Sequence, residues 1–333
     1  MTSASLYPPR WRDLNADETD TRLTLTLAGQ TLLDLQLERG TSLHLSLHDA
    51  GAQPTLQALW AACYWLLASD PQRQQLTWHL RRPPSEAVRS GLLHSTDIEG
   101  QFICQRSLFW QRAQPWLGEE PLPVYPQQHV ISAGKRHPLR GPKPQGEVYR
   151  RFDARLGAWV SLRTLDIDVD LERFNRWQNT PRVMDFWEEG GSLEQHRQFL
   201  EKLAADPHTL TLIGCFDDQP FAYFEAYWAK EDRIAPFYEV DDYDRGIHML
   251  VGEQTHRGPH KVASWLSALT HYLFLADPRT RRVVAEPRAD NDKMIGYMQA
   301  QGYHCEKAFN FPHKRAALMM HSRERFFDRC ALT

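Results

Sequence analysis

From Val262 onward the apolar positions fall at Val262, Trp265, Leu266, Leu269, Tyr272 and Leu273. Steps of three and four predict a long helix with one buried face. Asp277-Pro278 ends it, because the residue before a proline is disfavoured in helical geometry, and VVAE at 283–286 reads as a buried strand. Directly before the helix, GIHMLVGE (246–253) reads as another strand. A helix over about 292–301 and a closing strand pair, EKAFNF (306–311) and AALMMH (316–321), follow. Upstream, AWVSLRTLDI (158–167) predicts a strand and 171–178 a helix. After the aromatic stretch RVMDFWEE (182–189), Ser192-Leu193-Glu194-Gln195 reads as a capping box opening a further helix. Two strands, TLTLIGCFD (209–217) and PFAYFEAYWA (220–229), then meet at the tight Asp218-Gln219-Pro220 link.

The same order recurs near the N-terminus. A strand (SLHLSLHD, 42–49) precedes a helix with apolar residues at Leu56, Leu59, Trp60, Cys63, Leu66 and Leu67, whose spacing repeats that of the later helix. SDPQRQQLTWHL (69–80) follows, so that Asp70-Pro71 answers Asp277-Pro278 and His79 answers Glu286; a helix over 84–93 and a strand, FICQRSLFW (102–110), complete the set. Duplication and convergence both produce such a pattern. Between the halves, PLPVYPQQHVISAGKRHPLRGPKPQGEVYRR (121–151) is rich in proline and basic residues, has no sustained period, and reads as a bridging linker.

Composition narrows the class. At 333 residues the chain exceeds a usual single domain of roughly 100 to 200 residues, so two domains are expected. Its 39 basic and 42 acidic residues leave no excess of the kind a nucleic-acid binder needs. Five cysteines without CxxC spacing, mostly in apolar runs, read as reduced core residues. The opening MTSASLYPPRWRDLNADETD has no apolar signal-peptide core, and the longest apolar run, Leu59 to Ala68, is too short to cross a bilayer; the cytoplasm is the expected compartment, with no membrane partner. The histidines show no metal-ligand spacing backed by further ligands, so no metal is expected.

Six runs carry a sharper signal: GEVYRR (146–151), DRGIHMLVGEQ (244–254), RGPH (257–260), THYLFLADPRTRR (270–282), VAEPRADN (284–291) and FPHKRA (311–316). They resemble the aerobactin-type N-hydroxylysine acetyltransferases and their relatives in alcaligin and desferrioxamine synthesis, with the mycobactin lysine acyltransferase more distant. From Val160 on, about half the chain, the element order resembles the GNAT acyltransferase fold. The resemblance implies an α/β (α+β) architecture in which residues 1–125 form a degenerate GNAT-like domain, 126–155 a linker and 156–333 the catalytic domain. It also implies transfer of an acyl group from acetyl-CoA or succinyl-CoA to an N-hydroxylated amine, in the company of other enzymes of siderophore biosynthesis.

Such chemistry needs a base, an oxyanion donor and a grip on pyrophosphate. His248 interrupts an apolar strand; by pattern alone it is a structural histidine or a base, and the resemblance places a catalytic histidine there. Glu286, at the end of the neighbouring strand, would orient that imidazole or bind a substrate ammonium, or is a solvated strand-end carboxylate. Glu225 alternates with Tyr223 and Tyr227 and points to the acceptor pocket, which Phe186 and Trp187 would also line unless these aromatics are core. The resemblance puts the oxyanion donors at the backbone of Leu250 and Val251 and counts Asn291 among the CoA contacts. In HRGPHKV the superfamily's RGxGxG keeps Arg257 and Gly258, while His260 and Val262 stand where later glycines would be; an anion would still be drawn to this helix start. The position of the usual tyrosine acid holds Met298, with Tyr297 about 100° away around the helix. The basic residues Arg136, Arg140, Lys143, Arg150 and Arg151 would meet CoA phosphates or solvate the linker.

An N-hydroxyl group lowers the basicity of its nitrogen, so less of the acceptor is protonated near neutrality and an imidazole titrating there would suffice as base. The favoured function is N6-hydroxylysine acetyltransfer from acetyl-CoA. The alternatives are succinyl transfer to N-hydroxyputrescine or N-hydroxycadaverine, and a catalytically inert acyl-CoA-binding module.

Overall fold

The computed structural model describes residues 14–49, 51, 53–113, 116–118, 127–330 and 332. The first thirteen residues and 119–126, where the expected boundary at 125 falls, lie outside the described residues. The chain divides into two compact units, Met1–Pro115 with Phe152–Gly157 and Phe327–Thr333, and Trp116–Arg151 with Ala158–Phe326.

In the first unit, leucines alternate through β1 (Leu14–Glu18), β2 (Arg22–Leu27), β3 (Gln30–Arg39) and β4 (Leu43–Leu47), so that Leu23, Leu25, Leu35 and Leu45 are fully buried on one face. The helix α1 (Leu56–Ala68) starts where the Thr55 hydroxyl accepts from Ala58 N at 3.1 Å. Every residue of α1 from Ala58 to Ala68 is buried, so it is a core helix rather than one with a single buried face. Then come β5 (Gln75–His79), α2 (Ser85–Arg89), β6 (His94–Ser95), β7 (Gln101–Gln105) and α3 (Arg106–Phe109). The expected strand at 102–110 therefore stops at Gln105. Arg106 turns inward, buried, and donates to Cys330 O at 2.6 Å and Leu67 O at 2.5 Å, satisfying carbonyls a strand would have left open. The sheet order is β1-β2-β3-β4-β5-β7-β6, with β4 and β5 parallel on either side of the α1 crossover.

The second unit opens with β8 (His129–Ser132), β9 (Lys135–Pro138) and β10 (Glu147–Asp153, its last two residues counted with the first unit), so the proline-rich segment expected as a linker contains three strands. Charged residues hid that pattern: Val148, Tyr149 and Arg151 are buried, and the Tyr149 hydroxyl lies 2.9 Å from His271 Nδ1. Of its basic residues Arg136 is exposed, as a solvated linker residue would be, and Arg151 is buried, while the others are engaged within the protein. Arg140 pairs with Glu231 at 2.6 Å, Arg150 with Glu147 at 2.6 Å, and Lys143 donates to Leu203 O at 2.8 Å. There follow β11 (Ala158–Thr164), α4 (Ile167–Gln178), α5 (Pro181–Trp187), α6 (Leu193–Ala205), β12 (Thr209–Phe216), β13 (Gln219–Trp228), β14 (Arg245–Val251), α7 (Pro259–Ala276), β15 (Arg282–Ala285), α8 (Asp292–Ala300), β16 (His304–Asn310), β17 (Arg315–Ser322) and α9 (Arg323–Asp328). The capping box at Ser192 and Gln195 is formed, while the aromatic stretch 182–189 is mostly helix α5, started by Pro181. Cys63, Cys104, Cys215 and Cys330 are buried; Cys305 departs from the core expectation and is exposed.

The second sheet runs β10-β11-β12-β13-β14-β15-β17-β16. Without β10, its order and its parallel crossover pair repeat those of the first sheet. One feature separates them. The parallel pair β14–β15 is laddered only at Arg245↔Val283 and Gly246↔Val284, so the sheet splits from Ile247 onward.

Candidate active site

The split is lined by residues that the ladder itself brings together. On β13 and β14, Glu225 stands opposite His248 and Tyr227 opposite Gly246, so these side chains share the face away from Trp228 and Arg245. Gly246 is required there: a Cβ would meet the Tyr227 ring at 1.9 Å. With no side chain in the way, Tyr227 crosses β14 and donates to Glu286 Oε2 at 2.8 Å. Glu286, the first residue after β15, is fully buried and faces His248 Nε2 at 2.6 Å. On the other ring nitrogen, Nδ1 lies 2.7 Å from Glu225 Oε2, and Tyr223 donates to Glu225 Oε1 at 2.8 Å. The result is a buried row of tyrosine, carboxylate, imidazole, carboxylate and tyrosine.

Electrostatics follow from that row. Burial alone would lower the His248 pKa, but the charge of Glu286 and the hydrogen bonds that both carboxylates accept from the ring overcome it and push the imidazole up to about 10. Burial would likewise raise Glu286, yet the His248 cation, with Lys314 and the Tyr227 hydroxyl, brings it down to about 2. His248 thus rests as an imidazolium donating to two carboxylates, in place of the free imidazole titrating near neutrality that the sequence suggests. Glu189 behaves oppositely: burial and then the like charge of Glu225 lift it to about 7.

The row opens into a cavity of about 1300 Å³, which Trp187, Glu189, Asp232, Arg233, Asn291 and Lys314 also line. Trp187 stands edge-on to His248 with ring centroids 6.4 Å apart. Beyond the far end of β14, a turn through Gln254–His256 leads to α7, whose N-cap is Gly258 at φ 116°. No side chain caps α7 and its first turn holds no acidic residue, so its leading N–H groups are open, with Arg257, His260 and Lys261 beside them.

Residues 166–311 match the family model described as an acetyltransferase (GNAT) domain. The chain is 47% identical over 232 residues to the N(6)-hydroxylysine O-acetyltransferase of Escherichia coli, covering 69% of this chain and 73% of that one. It is 37% identical over 342 residues to the N(5)-hydroxyornithine:cis-anhydromevalonyl coenzyme A-N(5)-transacylase of Beauveria bassiana, covering 85% and 75%. The crystal structure of an uncharacterized protein from Bacillus halodurans, 29% identical, superposes with a TM-score of 0.53 over 56% of this chain and 95% of that one. This chain belongs to the GNAT acyltransferases.

As a GNAT enzyme it transfers an acyl group from acyl-CoA to nitrogen, and its sequence-derived site residues divide into three groups. His248, Glu286, Glu225, Tyr227 and Trp187 meet at the cavity. Tyr223 does not line it; the ring is core, packed 4.8 Å from Phe174, and reaches the site only through Glu225. Leu250 is likewise a core side chain, so only its backbone is available, and Val251 O already accepts from Arg182 at 2.6 Å. Asn291 lines the cavity, but its side chain caps α8 by accepting from Met294 N at 3.1 Å. Arg257, Gly258 and His260 form a separate cluster at the start of α7. Met298 is buried, and Tyr297 does not line the cavity, so α8 supplies no tyrosine there.

Sequence reasoning missed Glu189, Asp232, Arg233 and Lys314. Lys314 lies within FPHKRA and donates to Glu286 O at 2.8 Å. Asp232 and Arg233 sit in KEDRIAPF, a polar connection with no periodicity to mark it.

Proposed function

We propose that this enzyme acetylates the side-chain nitrogen of N6-hydroxylysine, with acetyl-CoA as donor, to form the hydroxamate of a siderophore, in the cytoplasm. The observation that carries the reading is the Glu225–His248–Glu286 row at the split edge of β14. An extended pantetheine arm, with its amide groups, has the chemistry to continue the ladder that β15 abandons after Gly246. That arm would run toward the open start of α7, where N–H groups, Arg257 and Lys261 suit a pyrophosphate.

In the transfer, the hydroxylamine nitrogen attacks the thioester carbonyl, forming C–N as C–S breaks. The row accepts the proton released by nitrogen as a unit. It carries one net negative charge at rest, two carboxylates against one imidazolium, and becomes neutral on gaining a proton from the cavity that both carboxylates line. The reduced basicity of the hydroxylamine leaves its nitrogen unprotonated and ready to attack. The proton held by the row then passes through cavity water to the thiolate, so that CoA leaves as the thiol and the row regains its resting charge.

The amino-acid acceptor rests on Arg233. Of the cations nearest the row, Arg288 pairs with Asp290 at 2.7 Å and Lys314 donates to Glu286 O, whereas Arg233 is half exposed and 3.7 Å from Glu286. Its guanidinium suits the α-carboxylate of hydroxylysine, a group hydroxydiamines lack, and Glu189 and Asp232 suit the α-ammonium. Both relatives above are named for hydroxylated amino-acid acceptors. We read the first unit as a degenerate copy of the second, on the repeated strand order.

Thiol release from acetyl-CoA and succinyl-CoA with N6-hydroxylysine, N-hydroxycadaverine, N-hydroxyputrescine and lysine, with product masses, tests this. Acetyl-CoA with hydroxylysine is expected to be fastest, and Arg233→Ala to raise KM for hydroxylysine alone. Turnover confined to lysine, or to succinyl-CoA with a diamine, would sink the reading.

A further inference from the structure

A second cavity, of about 270 Å³, lies on the opposite face of the same strands. Trp228 and Arg245 are ladder partners on that face, as Glu225 and His248 are on the other. Arg245 is 6% exposed and lines this cavity, yet it makes no hydrogen bond or ion pair among the described residues, and its Nε is buried without a partner. Its guanidinium carbon lies 4.1 Å from the Trp228 ring centroid, and Asp277 and Glu231 act on its charge only from beyond ion-pair distance. Buried arginines are almost always paired, because an uncompensated charge away from water is strongly unfavourable.

The acids nearby are already claimed. Glu231 holds Arg140 in a two-point pair at 2.6 and 2.7 Å and faces His137 at 2.9 Å; Asp277 holds Arg279 at 2.9 and 2.7 Å; Glu147 holds Arg150. Arg140 Nη1 is a second buried donor without a partner. Burial lowers the Arg245 pKa to about 10, which still leaves it charged near neutrality. The cavity therefore presents a guanidinium with no ion-pair partner of its own. The rest of its wall combines apolar surface from Leu139, Val148, Leu210, Trp228 and Tyr272 with charges engaged elsewhere, among them Arg140, Glu147 and Asp277. Its volume of about 270 Å³ has room for a small organic acid.

We propose that this cavity is a binding site for a small organic monocarboxylate, whose carboxylate pairs with Arg245 and whose apolar body lies against Trp228 and Tyr272. The site is separate from the acyl-transfer cavity and does not depend on the reading of that cavity.

Calorimetric titration of the full chain with benzoate, hexanoate and inorganic phosphate tests it. Benzoate and hexanoate are expected to bind saturably at a single site and to raise the thermal midpoint. Arg245→Met is expected to weaken that binding at least about tenfold, as loss of a charge-assisted pair requires. Ala276→Phe, which keeps Arg245 and fills the cavity, is expected to do the same and decides the matter alone if the first variant fails to fold. No carboxylate binding to the unaltered protein, or binding unchanged in a folded variant, overturns the proposal. Phosphate binding as tightly as benzoate overturns the organic-acid class.

Discussion

The two sheets share a strand order and a parallel crossover pair, and they differ where chemistry would occur. In the first sheet, β4 and β5 stay laddered over four positions, Leu43↔Leu76 to Ser46↔His79. In the second, β14 and β15 part after two. Setting Asp70-Pro71 against Asp277-Pro278 aligns Leu76 with Val283, and the ladder partners then place Ser46 against His248, Gln36 against Glu225, and His79 against Glu286. The first sheet thus has neither the carboxylates nor the opening. A strand order can persist while the site it supports is lost, because packing the core needs the leucine alternation and the transfer needs a gap in the sheet.

The largest test of that contrast is substitution at the aligned positions. Glu286→Ala or His248→Ala is expected to lower kcat/KM by about 10²- to 10⁴-fold, in the range of general acid–base contributions, whereas Ser46→Ala and His79→Ala should leave it unchanged; comparable losses from the two sets would erase the distinction. Next comes Gly246, which His44 matches in the first unit. Gly246→Ala forces a Cβ into the Tyr227 ring, so a loss of about 1–3 kcal/mol is expected from overpacking, read by denaturant melts, against no measurable change for His44→Ala.

Smaller effects concern pH and the donor. The Glu286 pKa is depressed and the His248 pKa raised, so their mutual stabilisation is complete between the unfolded carboxylate and imidazole values of 4.5 and 6.5. It is lost as pH falls toward about 2, and again as pH rises through about 10. The stability difference between the parent and Glu286→Gln should follow that window; a difference flat with pH would mean the row is not an ion pair. Arg257→Ala should raise KM for acyl-CoA a few-fold with kcat kept, the ~0.3–1 kcal/mol of an exposed charge near a helix start. Placing Glu, His and Glu at Gln36, Ser46 and His79 in a His248→Ala background should restore nothing. Turnover from that graft would show that the split between strands is dispensable.

The chain's own pattern was enough to find α7, β14, β15 and the order of elements around them, because apolar spacing and the Asp-Pro stops are local signals. It was enough to single out His248, Glu286 and Glu225, since a lone titratable residue in an apolar strand is conspicuous. The proline-rich segment misled because Val148, Tyr149 and Arg151 of its strand are all buried, and a buried arginine breaks the apolar alternation that marks a strand. Tyr223 and Leu250 read as site residues by alternation, but the helices packed over that face made them core. Asp232, Arg233 and Lys314 come from connections and a hairpin turn far apart in the chain, and no period announces them.

What the sequence determined by itself is the order of most elements from β11 onward and the residue types available for proton transfer. Only the tertiary structure decided that His248 lies between two carboxylates, that β14 and β15 part after Gly246, and that Arg245 is buried with no ion-pair partner among the described residues. Those outcomes depend on ladder register and on desolvation by surrounding elements, which are properties of several segments at once.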